Sequence, residues 1–264
     1  MDDSPMLGNF RPSDPCPGVG TLTRPTPTGR AAAADQPAAA PDTPYLRFKR
    51  VVDVVLGSVL LVLLGPVIAV TGLVIVLTSW GPVFYTQTRL GRFGRPFVIW
   101  KLRTMRHRCE DGSGVRWSTP GDARITPLGR VLRKLHIDEF PQLWNVLRGD
   151  MSLVGPRPER PEFFPVLSAA VPAYAHRLVV KPGVTGLAQV YLPPDEDVAG
   201  VRRKQAFDLH YIRTIGLGLD LRLMAATALQ AVGVPHGVVR RLMLLPDRRA
   251  VEAAQRPREP MGGS

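Results

Sequence analysis

The chain has 264 residues, enough for one ordinary domain with extensions, and 45% of them are hydrophobic, so a sizeable core can form. A formal net charge of +12 calls for an anionic partner, which is a nucleic acid, a membrane surface or a phosphorylated substrate. Cys16 and Cys109 alone exclude a disulfide framework or a Cys-rich metal site, and they fit a reducing compartment.

Residues 1–44 are rich in Pro, Ala, Gly, Thr and Asp and poor in large apolar residues. They cannot bury enough surface to offset their ordering entropy, so a disordered tail is expected there. A signal peptide is disfavoured, because no apolar run follows the start. In this tail Arg11, Arg24 and Arg30 stand against Asp2, Asp3, Asp14, Asp35 and Asp42, a net charge of −2. The positive charge therefore belongs to the remainder.

From Val54 to Thr78 the sequence is uncharged and mostly Val, Leu and Ile, long enough to cross a bilayer as a helix. Gly65 and Pro66 fall near its midpoint. A proline has no amide hydrogen and clashes with the carbonyl one turn back, so a kink is predicted there. Each half, Val51–Leu64 and Pro66–Leu77, is roughly 20 Å long and too short for a ~30 Å hydrocarbon core. Basic residues flank both ends: Lys49 and Arg50 before, Arg89, Arg92, Arg95 and Lys101 after. Positive flanks favour the cytoplasmic side. These residues leave two forms open, a kinked spanning helix and a segment that enters the membrane and turns back.

Residues 82–101 read as a β-hairpin, with β-prone Val83-Phe84-Tyr85 and Phe97-Val98-Ile99-Trp100 around a Gly91-Arg92-Phe93-Gly94 turn. Residues 106–123 are polar and Gly-rich, as in a loop. Thr126 and Pro127 suit the cap and first position of a helix carrying Leu128, Val131, Leu132 and Leu135 on one face and Arg130, Arg133 and Lys134 on the other. A second helix is expected from Asp138, with an apolar stripe of Phe140, Leu143, Trp144 and Leu147, ending at Gly149. Val201–Ile215 and Leu219–Val232 read as two more amphipathic helices. The last thirty or so residues mix apolar runs with Arg pairs, as in an interfacial segment or a loose basic tail. No Walker-type loop, zinc spacing or dinucleotide fingerprint is present.

The chemistry-bearing residues are few. Asp138 at a helix start is expected to be held ionised by the free amides and the helix dipole, and an ionised carboxylate is a competent nucleophile toward phosphorus. Glu139 sits about 100° further round, so the two acids border one site only because the first turn is open. The pair is suited to share Mg²⁺, which uses one or two carboxylates plus substrate phosphates. Read alone, the same pair is an ordinary cap and first-turn acid. In Gly155-Pro156-Arg157-Pro158 two prolines hold an arginine in a stiff stretch, which suits bidentate phosphate contact. Lys181-Pro182-Gly183 and Thr185-Gly186 form another tight segment.

Taken together, these motifs resemble the bacterial sugar transferase family, the monotopic polyprenyl-phosphate phosphoglycosyltransferases that start exopolysaccharide and glycan assembly. The resemblance runs from about Lys49 to Val232. It includes Lys49-Arg50-x-x-Asp53, Gly81-Pro82-Val83-Phe84-Tyr85 with Gln87 and Arg89, and Lys101-Leu102-Arg103-Thr104-Met105. Its most specific block is Asp138-Glu139-Phe140-Pro141-Gln142-Leu143-Trp144-Asn145-Val146, continued by Gly149 to Pro158. Lys181 to Gln189 and Asp208-x-x-Tyr211-Ile212 follow.

The resemblance implies a fold that is α+β and mainly helical. A disordered tail (1–44) would lead into a re-entrant membrane helix (45–80) broken at Gly65 and Pro66. A catalytic domain (81–235) with a small hairpin and amphipathic interface helices would follow, then a basic tail (236–264). It implies transfer of a sugar phosphate from a UDP-sugar to polyprenyl (undecaprenyl) phosphate at the cytoplasmic face of the cell membrane, with release of UMP. Asp138 matches the nucleophile, Glu139 its acidic partner with Mg²⁺ on the pair, and Arg157 the nucleotide-binding arginine. Lys101, Arg103 and Arg133 match basic positions near the site. Membrane lipid is an implied partner, nucleic acid is not, and a homodimer is compatible with the reading.

Two departures stand out. Tyr191-Leu192-Pro193-Pro194 replaces an Asn-Gly-Arg common in relatives, and His136-Ile137 replaces small hydroxyl residues before the dyad. The rival reading is a non-catalytic, membrane-anchored basic protein that binds anionic lipid or nucleic acid.

Overall fold

The computed structural model describes residues 43–107, 109, 121–193 and 198–253. The expected N-terminal tail, most of the 106–123 loop and the last eleven residues lie outside them.

Helix α1 (Pro44–Thr78) is continuous over 35 residues, capped by the Thr43 side chain on the Leu46 amide. It is the one helix among the described residues long and apolar enough to cross a membrane. Pro66 lies inside it without separating two helices, so the expected break does not appear as an end of regular structure. The helix divides by chemistry. Its first turns bury Lys49, Asp53 and Gly57, whereas Val59, Val62, Leu63, Val67 and Val70 are exposed. Near its other end Thr71, Gly72 and Ile75 are buried again.

Strands β1 (Phe84–Leu90) and β2 (Pro96–Leu102) pair antiparallel, with Tyr85 opposite Lys101 and Leu90 opposite Pro96. The predicted hairpin is therefore present, and Phe93 takes a left-handed conformation in its turn (φ 57°). Helix α2 (Pro127–Lys134) begins where the sequence placed it, with Thr126 accepting from the Gly129 amide at 2.9 Å.

The expected helix from Asp138 is not observed. Asp138 and Glu139 lie in a 3₁₀ turn (Ile137–Glu139), entered through a left-handed His136 (φ 56°), and α3 starts only at Gln142 (Gln142–Arg148). The reason is local. The left-handed His136 starts a turn closed by i→i+3 bonds, from the Glu139 amide to His136 O and from the Phe140 amide to Ile137 O, so the dyad is held as 3₁₀ before α3 begins.

Strands β3 (Ser152–Val154) and β4 (Gly183–Thr185) pair parallel. This pairing presses the two proline-rich motifs together: the Gly155 amide donates to Thr185 O and the Gly183 amide to Pro156 O, both at 2.9 Å. A Cβ on Gly155 would sit 2.4 Å from Lys181 O, and one on Gly183 2.1 Å from Gly155 N, so only glycine allows the approach.

Helices α4 (Phe164–Ala170), α5 (Leu187–Tyr191), α6 (Val198–Thr214) and α7 (Leu217–Ala231) complete the domain. The core gathers Val146, Met151, Leu153, Leu187, Phe207, Tyr211 and Leu223 around the short parallel pair. Two further helices follow, α8 (His236–Leu242) and α9 (Arg248–Ala253). Residues 236–253 are not a loose tail, because Val239, Leu245 and Val251 are buried in the same core. The departure at Tyr191 is explained here: its hydroxyl donates to Pro246 O, and its ring packs edge-on against His236.

Candidate active site

The 3₁₀ turn sits between α2 and α3 and against β2, which brings Lys101 to Glu139. Lys101 Nζ lies 2.7 Å from Glu139 Oε1, and Arg157 Nη2 lies 2.7 Å from the same oxygen. Arg157 Nη1 adds a longer contact of 3.3 Å to Oε2. Three segments far apart in sequence thus meet at one carboxylate.

The two acids are treated differently. Burial by itself raises the pKa of Glu139, but the charges of Arg157 and Lys101 outweigh it and hold the carboxyl well below the usual range. Asp138 is as buried, at 6% exposure. No hydrogen bond or ion pair from another described residue holds its carboxylate. Burial pushes its pKa up, helped by the charge of Glu139, against the pull of Lys101, Arg133 and Arg157. This reverses the sequence expectation. The dyad precedes α3 rather than opening it, so Asp138 lacks the helix amides that were to keep it ionised. Burial likewise lowers the Lys101 ammonium pKa, which Glu139 opposes.

The remaining predicted cations are placed as follows. Arg133 donates from Nε to Thr104 Oγ1 at 2.9 Å and lies close enough to Asp138 for their charges to interact. Arg103 faces elsewhere. Its guanidinium donates to Ser79 O, Ser79 Oγ and Trp80 O at 2.7–2.8 Å, where it caps the end of α1. Gly65 and Pro66 lie in the apolar middle of α1, away from the dyad's polar contacts. Gly65 lines a groove of about 520 Å³ with Leu61, Ile68, Gly72, Val83 and Phe84. Phe84 pairs with Leu102 on β2, next to Lys101, so the groove opens beside the strand that carries that lysine.

A clamp on the arginine loop was not legible in the sequence. Arg177, 7% exposed, donates from Nη2 to Arg157 O at 2.9 Å. Its own position is fixed by Asp208 (2.8 Å) and the Tyr174 hydroxyl (2.6 Å). Arg89 donates to the carbonyl of the next residue, Pro158, at 3.1 Å. Asp208 and Arg89 belong to motifs visible in the sequence, but nothing around Arg177 signalled a role.

Among the described residues no group of three or more His, Cys, Asp or Glu side chains converges on a cation position. Mg²⁺ does not require one, since it takes one or two carboxylates and completes its shell with substrate phosphates and water. Asp138, with unpaired oxygens, fits that demand. Glu139 fits it less well, because Lys101 and Arg157 already occupy its oxygens.

This arrangement can hold a buried carboxylate beside several cations, which is what attack on an anionic phosphate needs. Comparison with known proteins identifies the family. A profile of the family described as bacterial sugar transferase matches residues 44–233. A UDP-glucose:undecaprenyl-phosphate glucose-1-phosphate transferase of Caulobacter vibrioides is 48% identical over 68% of this chain and 67% of its own length. A UDP-N-acetylgalactosamine-undecaprenyl-phosphate N-acetylgalactosaminephosphotransferase of Aeromonas hydrophila is 39% identical over 71% of this chain and 44% of its own length. An exopolysaccharide production protein PSS of Rhizobium leguminosarum bv. phaseoli is 37% identical over 69% of this chain and 94% of its own length. The aligned part is thus less than half of the Aeromonas protein and nearly all of the Rhizobium one. With the family profile covering most of its length, the chain belongs to the bacterial sugar transferase family.

Proposed function

We propose that this protein transfers a sugar 1-phosphate from a UDP-sugar to polyprenyl phosphate through a covalent intermediate on Asp138. The observation that carries the proposal is the contrast inside the dyad: a buried, unpaired Asp138 beside a Glu139 that organises Lys101 and Arg157. The names of the Caulobacter and Aeromonas relatives support the two substrate classes.

In the first step an Asp138 oxygen attacks the β-phosphorus of the UDP-sugar. The bond from that phosphorus to the bridging oxygen breaks, and UMP leaves with the electron pair. In the second step an oxygen of polyprenyl phosphate attacks the same phosphorus and the Asp138–phosphorus bond breaks. The product is a polyprenyl diphosphate sugar. Both steps concentrate negative charge at one phosphorus, and such charge is stabilised by fixed cations in a water-poor site. Arg157 reaches the site with its side chain 45% exposed, so it remains open to a nucleotide phosphate while anchored on Glu139. Lys101 shares Glu139 Oε1 with Arg157, and Arg133 adds a third charge near Asp138. Mg²⁺ would be held chiefly by Asp138, with Glu139 as its acidic neighbour, and would supply further charge neutralisation for the diphosphate.

The acceptor's lipid end calls for a membrane. Helix α1 would be about 50 Å long if straight, well beyond a ~30 Å core. Both of its ends bond to the same body, Lys49 to Asp220 and the Ser79 and Trp80 carbonyls to Arg103. That supports re-entry, with both flanks on the cytoplasmic side. Labelling of cysteines placed at Lys49 and Lys101 from opposite faces of the membrane would refute it.

The catalytic proposal is tested by incubating membrane-extracted protein with a UDP-sugar panel, Mg²⁺ and polyprenyl phosphate and following UMP. Absence of release with every donor would instead favour a non-catalytic basic membrane protein. Mass spectrometry of the protein with donor alone should find a sugar-phosphate adduct on the peptide carrying Asp138.

A further inference from the structure

Away from the dyad, three cations gather at the opposite end of α3. Gly149 ends that helix in the left-handed region (φ 92°). A Cβ there would lie 3.4 Å from Arg50 Nη2 and 3.6 Å from Lys181 Nζ, so the two charged heads lean over the same bare stretch of backbone. Arg92 approaches from the hairpin turn, its Nε donating to Val179 O at 2.9 Å, two residues before Lys181.

The three are not equally satisfied. Arg50 donates to Val146 O and Leu147 O and so caps the last carbonyls of α3. Lys181, half-buried, has no hydrogen-bond acceptor or ion pair among the described residues. Burial lowers its pKa, and the charges of Arg50 and Arg92 lower it further. Asp53 and Asp150 also face it, but both are engaged. Asp53 accepts from Ser152 Oγ and the Leu153 amide, and Asp150 faces Asn145 and Arg148. A crowded set of cations with an unused ammonium suits an anion with several oxygens.

The position in the fold selects among anions. Arg50 lies one turn before Val54, and Val51, Val54, Val55 and Val59, with Phe48 just before them, form the exposed apolar start of α1. If those valines lie in hydrocarbon, the cluster lies at the depth of the lipid phosphates. We propose that Arg50, Lys181 and Arg92 bind the phosphate of an anionic phospholipid headgroup and so set the depth at which the domain rides on the membrane. The site rests on reading α1 as membrane-embedded, but it is separate from catalysis, because the dyad precedes the opposite end of α3.

The test uses the full-length protein in neutral detergent micelles doped with phosphatidylglycerol or, at the same mole fraction, phosphatidylcholine. Phosphatidylglycerol should raise the thermal midpoint by about 3 °C more than phosphatidylcholine does, as expected for a ligand present at roughly ten times its Kd. Lys181→Gln/Arg92→Gln should lose most of that increment while keeping its starting midpoint and its UMP release. Should the double variant start from a lower midpoint, Lys181→Gln alone is read the same way. Equal responses to the two lipids, or an undiminished increment in the variants, would overturn the site. Reproduction of the increment by millimolar inorganic phosphate would overturn the headgroup assignment. The cysteine-labelling and UMP assays report on re-entry and catalysis independently, so failure of either leaves this result readable.

Discussion

Two buried clusters of charge in this protein obey opposite rules. Where α1 docks, every acid is engaged. Asp220 receives Tyr45, Lys49 and Tyr211, and Asp53 accepts from Ser152 Oγ and the Leu153 amide. At the dyad, Glu139 is paired twice and its neighbour Asp138 not at all. A satisfied buried charge holds a structure together, whereas an unsatisfied one is costly to keep and marks chemistry. The first cluster fastens α1, and the second keeps one carboxylate available.

The largest expected effect separates these roles. Asp138→Asn should lower UMP release by at least ~10³-fold, as removal of a nucleophile does. The same change should raise stability by roughly 1 kcal/mol, because it removes a buried, unpaired charge. The sign follows from the raised pKa. Ionised Asp138 costs the folded state above that pKa and costs nothing below the unfolded value of 3.8, so the gain should fade as pH falls toward it. Loss of stability in Asp138→Asn at neutral pH would break the comparison.

Asp220→Asn should do the reverse. It removes the nearer counter-ion of the buried Lys49 and leaves only Asp53, 4.0 Å away, to offset the charge, at about 3 kcal/mol in a denaturant titration. Activity of the folded fraction should change little. A large fall in kcat without loss of stability would mean that the docking cluster takes part in the chemistry.

Smaller effects sharpen the picture. Arg177→Lys keeps a charge beside Asp208 but loses the planar fork that reaches the Arg157 carbonyl. Its KM for the UDP-sugar should rise about tenfold with kcat nearly unchanged, the split expected for a lost positioning contact. The acid limb of kcat/KM should lie above the ordinary aspartate range, since the proposed nucleophile Asp138 attacks only when ionised. Glu139→Gln, measured on its residual activity, should move that limb to lower pH, because a neighbouring negative charge is removed. Smallest of all, Tyr191→Phe should cost about 1 kcal/mol of stability through the lost bond to Pro246 O. A loosened α8–α9 pair would then appear as faster amide exchange at residues 239–251.

Much of the fold was legible because local rules governed it. Thr126 and Pro127 fixed the start of α2, the β-prone runs fixed the hairpin, and the uncharged stretch after Asp53 fixed the long helix. The start of α3 lies four residues beyond the expected Asp138, since the apolar stripe gives no sign that the dyad closes a separate 3₁₀ turn. The C-terminal helices are not legible in the sequence, because Val239, Leu245 and Val251 are too sparse to declare a buried face without their partners. For the site, the dyad, Lys101 and Arg157 were named from motifs, but Arg103 caps α1 and Arg177 carried no local signal.

By itself the sequence determined which residues carry charge and chemistry, and that one helix is apolar enough for a membrane. Tertiary structure decided what those charges do. Whether a carboxylate is paired, and which way burial moves its pKa, depends on neighbours that folding brings from β2, the 3₁₀ turn and the loop after β3. Those neighbours are distant in the chain, so no spacing rule encodes them.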